Sequence, residues 1–222
     1  PSLRGAQRRG NPGCSFYRAE LGIAPDAVVA LYSGNMGAKQ GLELLAEVAK
    51  SIATRAPLPQ NGKEPQGGID PELVFVFCGN GAGRANLVAR CQGLSNVRFL
   101  DLQPLARLPD LLAMADIHLL PQRADAADLV MPSKLTGMLA SARPVVATAH
   151  PGTELASVVQ GCGLVVPPED PAAFAQALLT LAANPVLCER LGAAGFLYAQ
   201  ENLDKEAVLA KFEADLLGVV WG

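Results

Sequence analysis

The chain has 222 residues, half of them hydrophobic and 18% charged, with a formal net charge of −3. That much apolar material buries a sizeable core and excludes disorder over most of the chain, while the slightly acidic balance excludes a nucleic-acid surface as its main role. The longest apolar strings, such as Leu73 to Cys78, fall far short of the roughly 18–20 residues of a membrane span, and no signal peptide opens the sequence.

Residues 1–16 hold Gly5, Gly10, Pro12 and Gly13 among Arg4, Arg8 and Arg9, and read as a linker or irregular arm ahead of one domain over 17–222. The first residue is Pro1, so the chain reads as a piece of something larger. A regular pattern begins with the apolar run Val28 to Tyr32, which ends in Ser33-Gly34, and an amphipathic helix follows on Leu42, Leu45, Ala49 and Ile52. The Pro- and Gly-rich stretch 55–71 predicts a surface loop. Further runs are Val74 to Cys78, ending in Gly79-Asn80-Gly81, and Val97 to Leu100, ending at Asp101. A helical stripe on Leu108, Leu111, Leu112 and Ala115 leads to the run Ile117 to Leu120. Val145 to Ala147 and Leu164 to Val166 complete six runs, and Phe174, Leu178 and Leu181, then Val208, Phe212 and Leu216, mark the last helices. Asp170-Pro171 and Asn184-Pro185 each place an N-cap side chain before a proline at the first helical position.

Continuous apolar runs belong to strands buried on both faces. Alternating with helices, they predict an α/β fold: a single Rossmann-like domain with an open parallel sheet of about six strands and helices on both faces. The five cysteines are odd in number and form no close pair, so they read as reduced structural thiols of a cytosolic protein. His118 lies inside a strand and reads as core, and His150 reads as a loop residue. No Asp-x-Asp pair offers ligands to a metal, and neither a metal nor a cofactor is expected.

In such sheets ligands gather at the carboxyl ends of the strands, which singles out three loops. Gly34-Asn35-Met36-Gly37-Ala38-Lys39 offers glycines, free N–H groups and a cation to a phosphate, without the Gly-Lys-Ser/Thr of a Walker loop. Gly79-Asn80-Gly81-Ala82-Gly83-Arg84 suggests a dinucleotide fingerprint with Asp101 as its ribose acid, but the third glycine is replaced by Arg84, which instead could reach a phosphate or sugar. Asp128-Leu129-Val130-Met131-Pro132-Ser133-Lys134 places Ser133 as an N-cap and Lys134 beside a helix start, a second anion site. Two lysines at two loops could hold the two phosphates of one diphosphate.

These segments resemble the C-terminal, donor-binding half of retaining glycosyltransferases of the GT-B fold, family four, and within it the colanic-acid or exopolysaccharide type with fucosyltransferase-like members. The likeness runs from about residue 17 to the end and is carried by LYSGNMGAKQGLE from Leu31, FVFCGNGAGR from Phe75, NVRFLDLQP from Asn96, MADIHLLPQ from Met114, DLVMPSKLTGMLASARPVVAT from Asp128 and GLVVPPEDPAAFAQAL from Gly163. The resemblance implies transfer of a sugar from a UDP- or GDP-sugar donor to an exopolysaccharide or lipid-linked acceptor. Lys39 and Lys134 would be the catalytic cations. Gly34, Asn35, Gly37, Arg84, Leu102, Asp128, Leu129, Val130 and Ser133 would be donor contacts, with the base near Leu102. An N-terminal acceptor domain of the same protein would be the missing partner, without which the chain is expected to be inactive. The implied location is cytoplasmic, at most peripheral at the inner face of the membrane. The sequence departs from the family at four positions. Asn35 stands where many members have arginine, Gln40 stands at the usual lysine position, and Leu129 and Gly137 stand where two glutamates are common. Asp128 is the candidate replacement for the first acid. A non-catalytic nucleotide-sugar-binding module, a nucleotide-sugar epimerase and a dehydrogenase are the competing readings.

Overall fold

In the computed structural model, which describes residues 12–37, 40–54, 72–126 and 131–203, all six apolar runs are strands. They are β1 (Val28–Ser33), β2 (Leu73–Cys78), β3 (Val97–Leu100), β4 (Ile117–Leu120), β5 (Val145–Thr148) and β6 (Gly163–Val166). They form one sheet in the order β3-β2-β1-β4-β5-β6, and every adjacent pair is parallel. Each residue of β1, β2, β4 and β5 is buried, whereas the edge strands β3 and β6 are partly exposed. That is why the central runs are apolar without alternation.

The helices are α1 (Pro12–Glu20), α2 (Leu42–Ala53), α3 (Arg84–Arg90), α4 (Leu108–Met114), α5 (Lys134–Ala140), α6 (Glu154–Cys162), α7 (Pro171–Ala183) and α8 (Pro185–Asn202). Val28, Ala30 and Tyr32 face α2, α3 and α7, while Val29 and Leu31 face α1 and α4. A third cluster packs α5 and α6 under β4 and β5. Strand periodicity thus sorts one continuous apolar run between two cores. Asp170 accepts from Ala173 N at 2.8 Å and Asn184 from Leu187 N at 2.9 Å, as the sequence predicts for these N-caps, each worth about 1 kcal/mol.

Two expectations are corrected. The stretch read as an irregular arm over 1–16 is helical from Pro12 onward, and α1 runs on into the domain expected from residue 17, where Tyr17 is buried and Arg18 is only 5% exposed. Arg18 Nη2 reaches Asp116 Oδ2 at 2.9 Å and Met114 O at 3.1 Å, and its Nη1 reaches Ala27 O at 3.0 Å. Asp116 Oδ2 also accepts from Val29 N at 2.7 Å, so this clasp closes the amino ends of β1 and β4. The second correction is Ser133, which stands at the N-cap of α5 in helical conformation and makes no capping bond with its side chain. The loop read over 55–71 and the stripe from Val208 to Leu216 lie outside the described residues. Among those described, no single helix is long and apolar enough to cross a membrane.

Candidate functional site

Strand order reverses between β1 and β4, which are joined through Ala30–Ile117 and Leu31–His118. The crevice outside their carboxyl ends is where an open parallel sheet takes a ligand. The loop leaving β1 is pinned from below. Gly34 N donates to Cys78 O at 3.0 Å, Met36 N to Asn80 O at 2.9 Å, and Gly83 N to Met36 O at 2.8 Å. Among the described residues, the backbone N–H groups of Asn35 and Gly37 have no partner, so this loop presents two donors to an incoming oxygen.

The glycines of the second loop have a different purpose from the one their spacing suggests. Gly79, at φ +142°, lies so close to Gly34 that a Cβ would overlap the Gly34 carbonyl oxygen. A Cβ on Gly81, at φ +149°, would stand 2.7 Å from Asn35 Oδ1 and 2.8 Å from the Met36 carbonyl carbon. These glycines let one loop back the other.

Lys134 crosses the crevice from α5. Its Nζ donates to Gln40 Oε1 at 2.7 Å and to Tyr32 Oη at 3.3 Å, and stands 4.5 Å from the Tyr32 ring centroid. Its Cδ would be 3.8 Å from a Cβ on Gly34, so the structure brings together the predicted Gly34 loop and Lys134. Tyr32 Oη donates to Asn35 O at 2.6 Å. Burial lowers the Lys134 pKa to about 8 and raises that of Tyr32. No carboxylate among the described residues pairs with Lys134. The cation at this helix start is therefore the side chain reaching over the first loop; α5 is a short helix of seven residues. Tyr32 and Gln40 were not singled out by the sequence as site residues. The available signal was a tyrosine one residue from the carboxyl end of the central strand.

Arg84 and Leu102 lie further along the same edge. Arg84 Nη2 pairs with Asp101 Oδ1 at 2.8 Å, so the acid that a dinucleotide fingerprint would give to a ribose is occupied by the arginine that breaks the fingerprint. Leu102 is 65% exposed, on a turn fixed by Gln103, whose Nε2 donates to Asp101 O at 2.9 Å and whose Oε1 accepts from Tyr17 Oη at 2.9 Å. On the other side a hollow of about 340 Å³ opens between α2 and α7, lined by Glu43, Glu47, Gln122, Arg123 and Glu169 among others. Three carboxylates make it a poor host for a diphosphate, whereas the Lys134 side of the crevice carries cation and donors.

Lys39, Asp128, Leu129 and Val130 lie outside the described residues. Gly137, aligned with a family glutamate, has its place taken by packing: a Cβ there would stand 3.2 Å from Leu112 Cδ1. His118 is fully buried, as expected. Ser141 Oγ gives its proton to Met138 O at 2.6 Å, so His118 Nε2 carries the hydrogen of the 2.8 Å contact to Ser141. That leaves Nδ1 bare and buried. Among the described residues no group of three His, Cys, Asp or Glu side chains is placed to hold a metal ion.

A family profile described as glycosyl transferases group 1 matches residues 27–184. Over 210 residues the chain is 38% identical to WcaI of Escherichia coli (strain K12), which is named for colanic acid biosynthesis as a glycosyl transferase; the match covers 90% of this chain and 46% of that one. Among solved structures, WaaG, a glycosyltransferase involved in lipopolysaccharide biosynthesis, superposes with a TM-score of 0.64 at 20% identity, over 92% of this chain and 50% of WaaG. Anabaena HepE, solved with UDP and glucose, superposes with a TM-score of 0.71 at 15% identity, over 94% of this chain and 53% of HepE. The chain thus spans about half the length of the proteins it matches.

Proposed function

The chain belongs to the group 1 glycosyl transferase family, with the Rossmann-like fold of one half of a GT-B enzyme, and from that premise we propose that it binds a nucleoside-diphosphate sugar for retaining transfer to an exopolysaccharide or lipid-linked acceptor. The observation that carries this reading is Lys134, a largely buried ammonium at the switch point whose partners among the described residues are neutral, near the N–H groups of Asn35 and Gly37, which are unpartnered among the same residues. Buried charge without a counter-ion is costly. A diphosphate would supply the missing negative charge. UDP bound to HepE, a protein of the same fold, is in keeping with this choice.

The chemistry would be leaving-group stabilisation. Cleavage of the bond between sugar and diphosphate leaves negative charge on the diphosphate, and a preorganised cation and donors lower the barrier by meeting it. In this reading Lys134, Asn35 N and Gly37 N would meet that charge, and Lys39 is assigned to the same anion from its sequence position. Arg84 and Leu102 are assigned to the nucleoside end, and Ser133, Asp128, Leu129 and Val130 to the sugar and diphosphate. The reaction itself would require the remainder of the protein, and no metal or resident cofactor enters it.

The test is thermal unfolding of this chain with UDP, GDP or NAD, in wild type and in Lys39→Ala. A ligand at about 100 times its Kd stabilises by roughly 2.7 kcal/mol. Stabilisation by UDP or GDP that is lost in Lys39→Ala is expected. Stabilisation by NAD alone would overturn the reading. In the whole enzyme, Lys39→Ala should lower kcat/KM by about 2.7–4 kcal/mol in transition-state terms and leave the melting temperature nearly unchanged.

A further inference from the structure

Cations removed from water are ordinarily held by carboxylates, but among the described residues both hydrogen-bond partners of Lys134 are neutral, and each has a defined orientation. Tyr32 has one hydroxyl proton, and it goes to Asn35 O at 2.6 Å. The hydroxyl can therefore meet Lys134 Nζ only as an acceptor, at 3.3 Å, while the negative face of the ring stands 4.5 Å from the same nitrogen. Gln40 offers its carbonyl oxygen at 2.7 Å, the shortest contact the ammonium makes among the described residues.

Resting on the donor-binding reading, we infer that Tyr32 is a positioning residue that seats the Lys134 ammonium for the donor's diphosphate, and that Gln40 Oε1 is a placeholder standing where a diphosphate oxygen docks. An amide oxygen is a neutral acceptor, and a phosphate oxygen is a charged one that binds an ammonium about twice as strongly. Exchange of one for the other gains a charge–charge contact without moving the lysine. Tyr32 stays in place through the exchange, because its hydroxyl also holds the Asn35 carbonyl. One aromatic ring thereby fixes both the cation and the loop that carries the free N–H groups of Asn35 and Gly37. An arrangement made beforehand costs no reorganisation when the ligand arrives. Gln40, at the position where the family carries a lysine, thus holds a cation that comes from α5 instead.

The test uses this chain with UDP and with GDP, measuring affinity by calorimetry and following the Lys134 side-chain resonance in ¹³C-lysine-labelled protein. Gln40→Glu plants a permanent carboxylate on the ammonium and should weaken nucleotide binding about tenfold or more, with thermal stability equal or higher. Gln40→Ala removes the competing oxygen and should leave affinity equal or greater. Tyr32→Phe keeps the ring and should weaken binding by about three- to tenfold. Gln40 is only half-buried, so its two variants decide the matter even where Tyr32→Phe melts early. Wild-type binding should move the Lys134 resonance. A Gln40→Glu chain that binds as wild type, a Gln40→Ala chain that loses about tenfold, or nucleotide binding that leaves the Lys134 resonance still overturns the inference while the donor reading stands. Binding of neither UDP nor GDP overturns both.

Discussion

At the scale of single residues, two buried bases set opposite demands on pH and on ligand. Lys134 has its pKa lowered to about 8 by burial, against roughly 10.4 in an unfolded chain. Between those values the unfolded chain binds the extra proton, so stability from this group grows as pH rises through that window and is at its poorest below about pH 8. In the proposed reading, binding of a diphosphate would run the other way, since it would need the ammonium. Lys134→Met should therefore melt higher than wild type at neutral pH while losing UDP or GDP affinity, and calorimetry beside a melting scan checks both signs. Lys134→Arg should keep its charge and hold nucleotide affinity above about pH 8, where wild type weakens. His118 is the second base. Its pKa is lowered to about 3, chiefly by burial and then by Arg143, and its bare Nδ1 has no partner for a second proton. The unfolded histidine titrates near 6.5, so His118 withdraws stability as pH falls from about 6.5 toward 3. In His118→Leu the fall in melting temperature between about pH 7 and about pH 4 should be smaller than in wild type.

At the scale of elements, the site is two loops pressed together by absent side chains. Gly79→Ala places a methyl on the Gly34 carbonyl at a φ that L residues rarely adopt, and should destabilise the chain by about 2 kcal/mol or more. Ala82→Ser on the same turn, at a residue with ordinary backbone, is the control, and urea midpoints for the two report the difference. This pair of loops also marks how far the sequence can be read. The six strands were legible because burial on both faces leaves only apolar residues, and the caps at Asp170 and Asn184 because a carboxylate or amide before proline has one local use. That Gly34 and Lys134 come together at one crevice was legible from the loops that carry them at the carboxyl ends of the strands. What escaped were the contacts between loops distant in sequence. Gly79 to Gly83 suggested a dinucleotide fingerprint that Arg84 breaks, because spacing records only that a Cβ is unwanted and says nothing of which atom excludes it. Tyr32 looked like the last apolar residue of its strand, since the hydrogen bond that gives it another role depends on Asn35 and on a lysine 102 residues away. Ser133 had the right side chain for a cap, but its helical backbone turns the hydroxyl away from that task.

At the scale of the whole molecule, the sheet separates its tasks by end. Among the described residues, the carboxyl end holds the unpartnered N–H groups of Asn35 and Gly37, an exposed Leu102 and a Lys134 ammonium whose partners are neutral. The amino end holds the clasp of Arg18 and Asp116, where guanidinium and carboxylate are tied to each other and to the backbone of β1 and α4. The central strands meet along a short seam, with two registered pairs between β1 and β4, and the clasp reinforces it. Its partners lie 98 residues apart, which gives the feature a meaning in time as well as in space. During synthesis β1, β2 and β3 can gather as they emerge, since each pairs with its neighbour in sequence, but the burial of Arg18 is completed only once Asp116 has been made. Closing so long a loop costs entropy that its own contacts must offset. The guanidinium buried in the first half of the domain therefore finds its carboxylate only in the second.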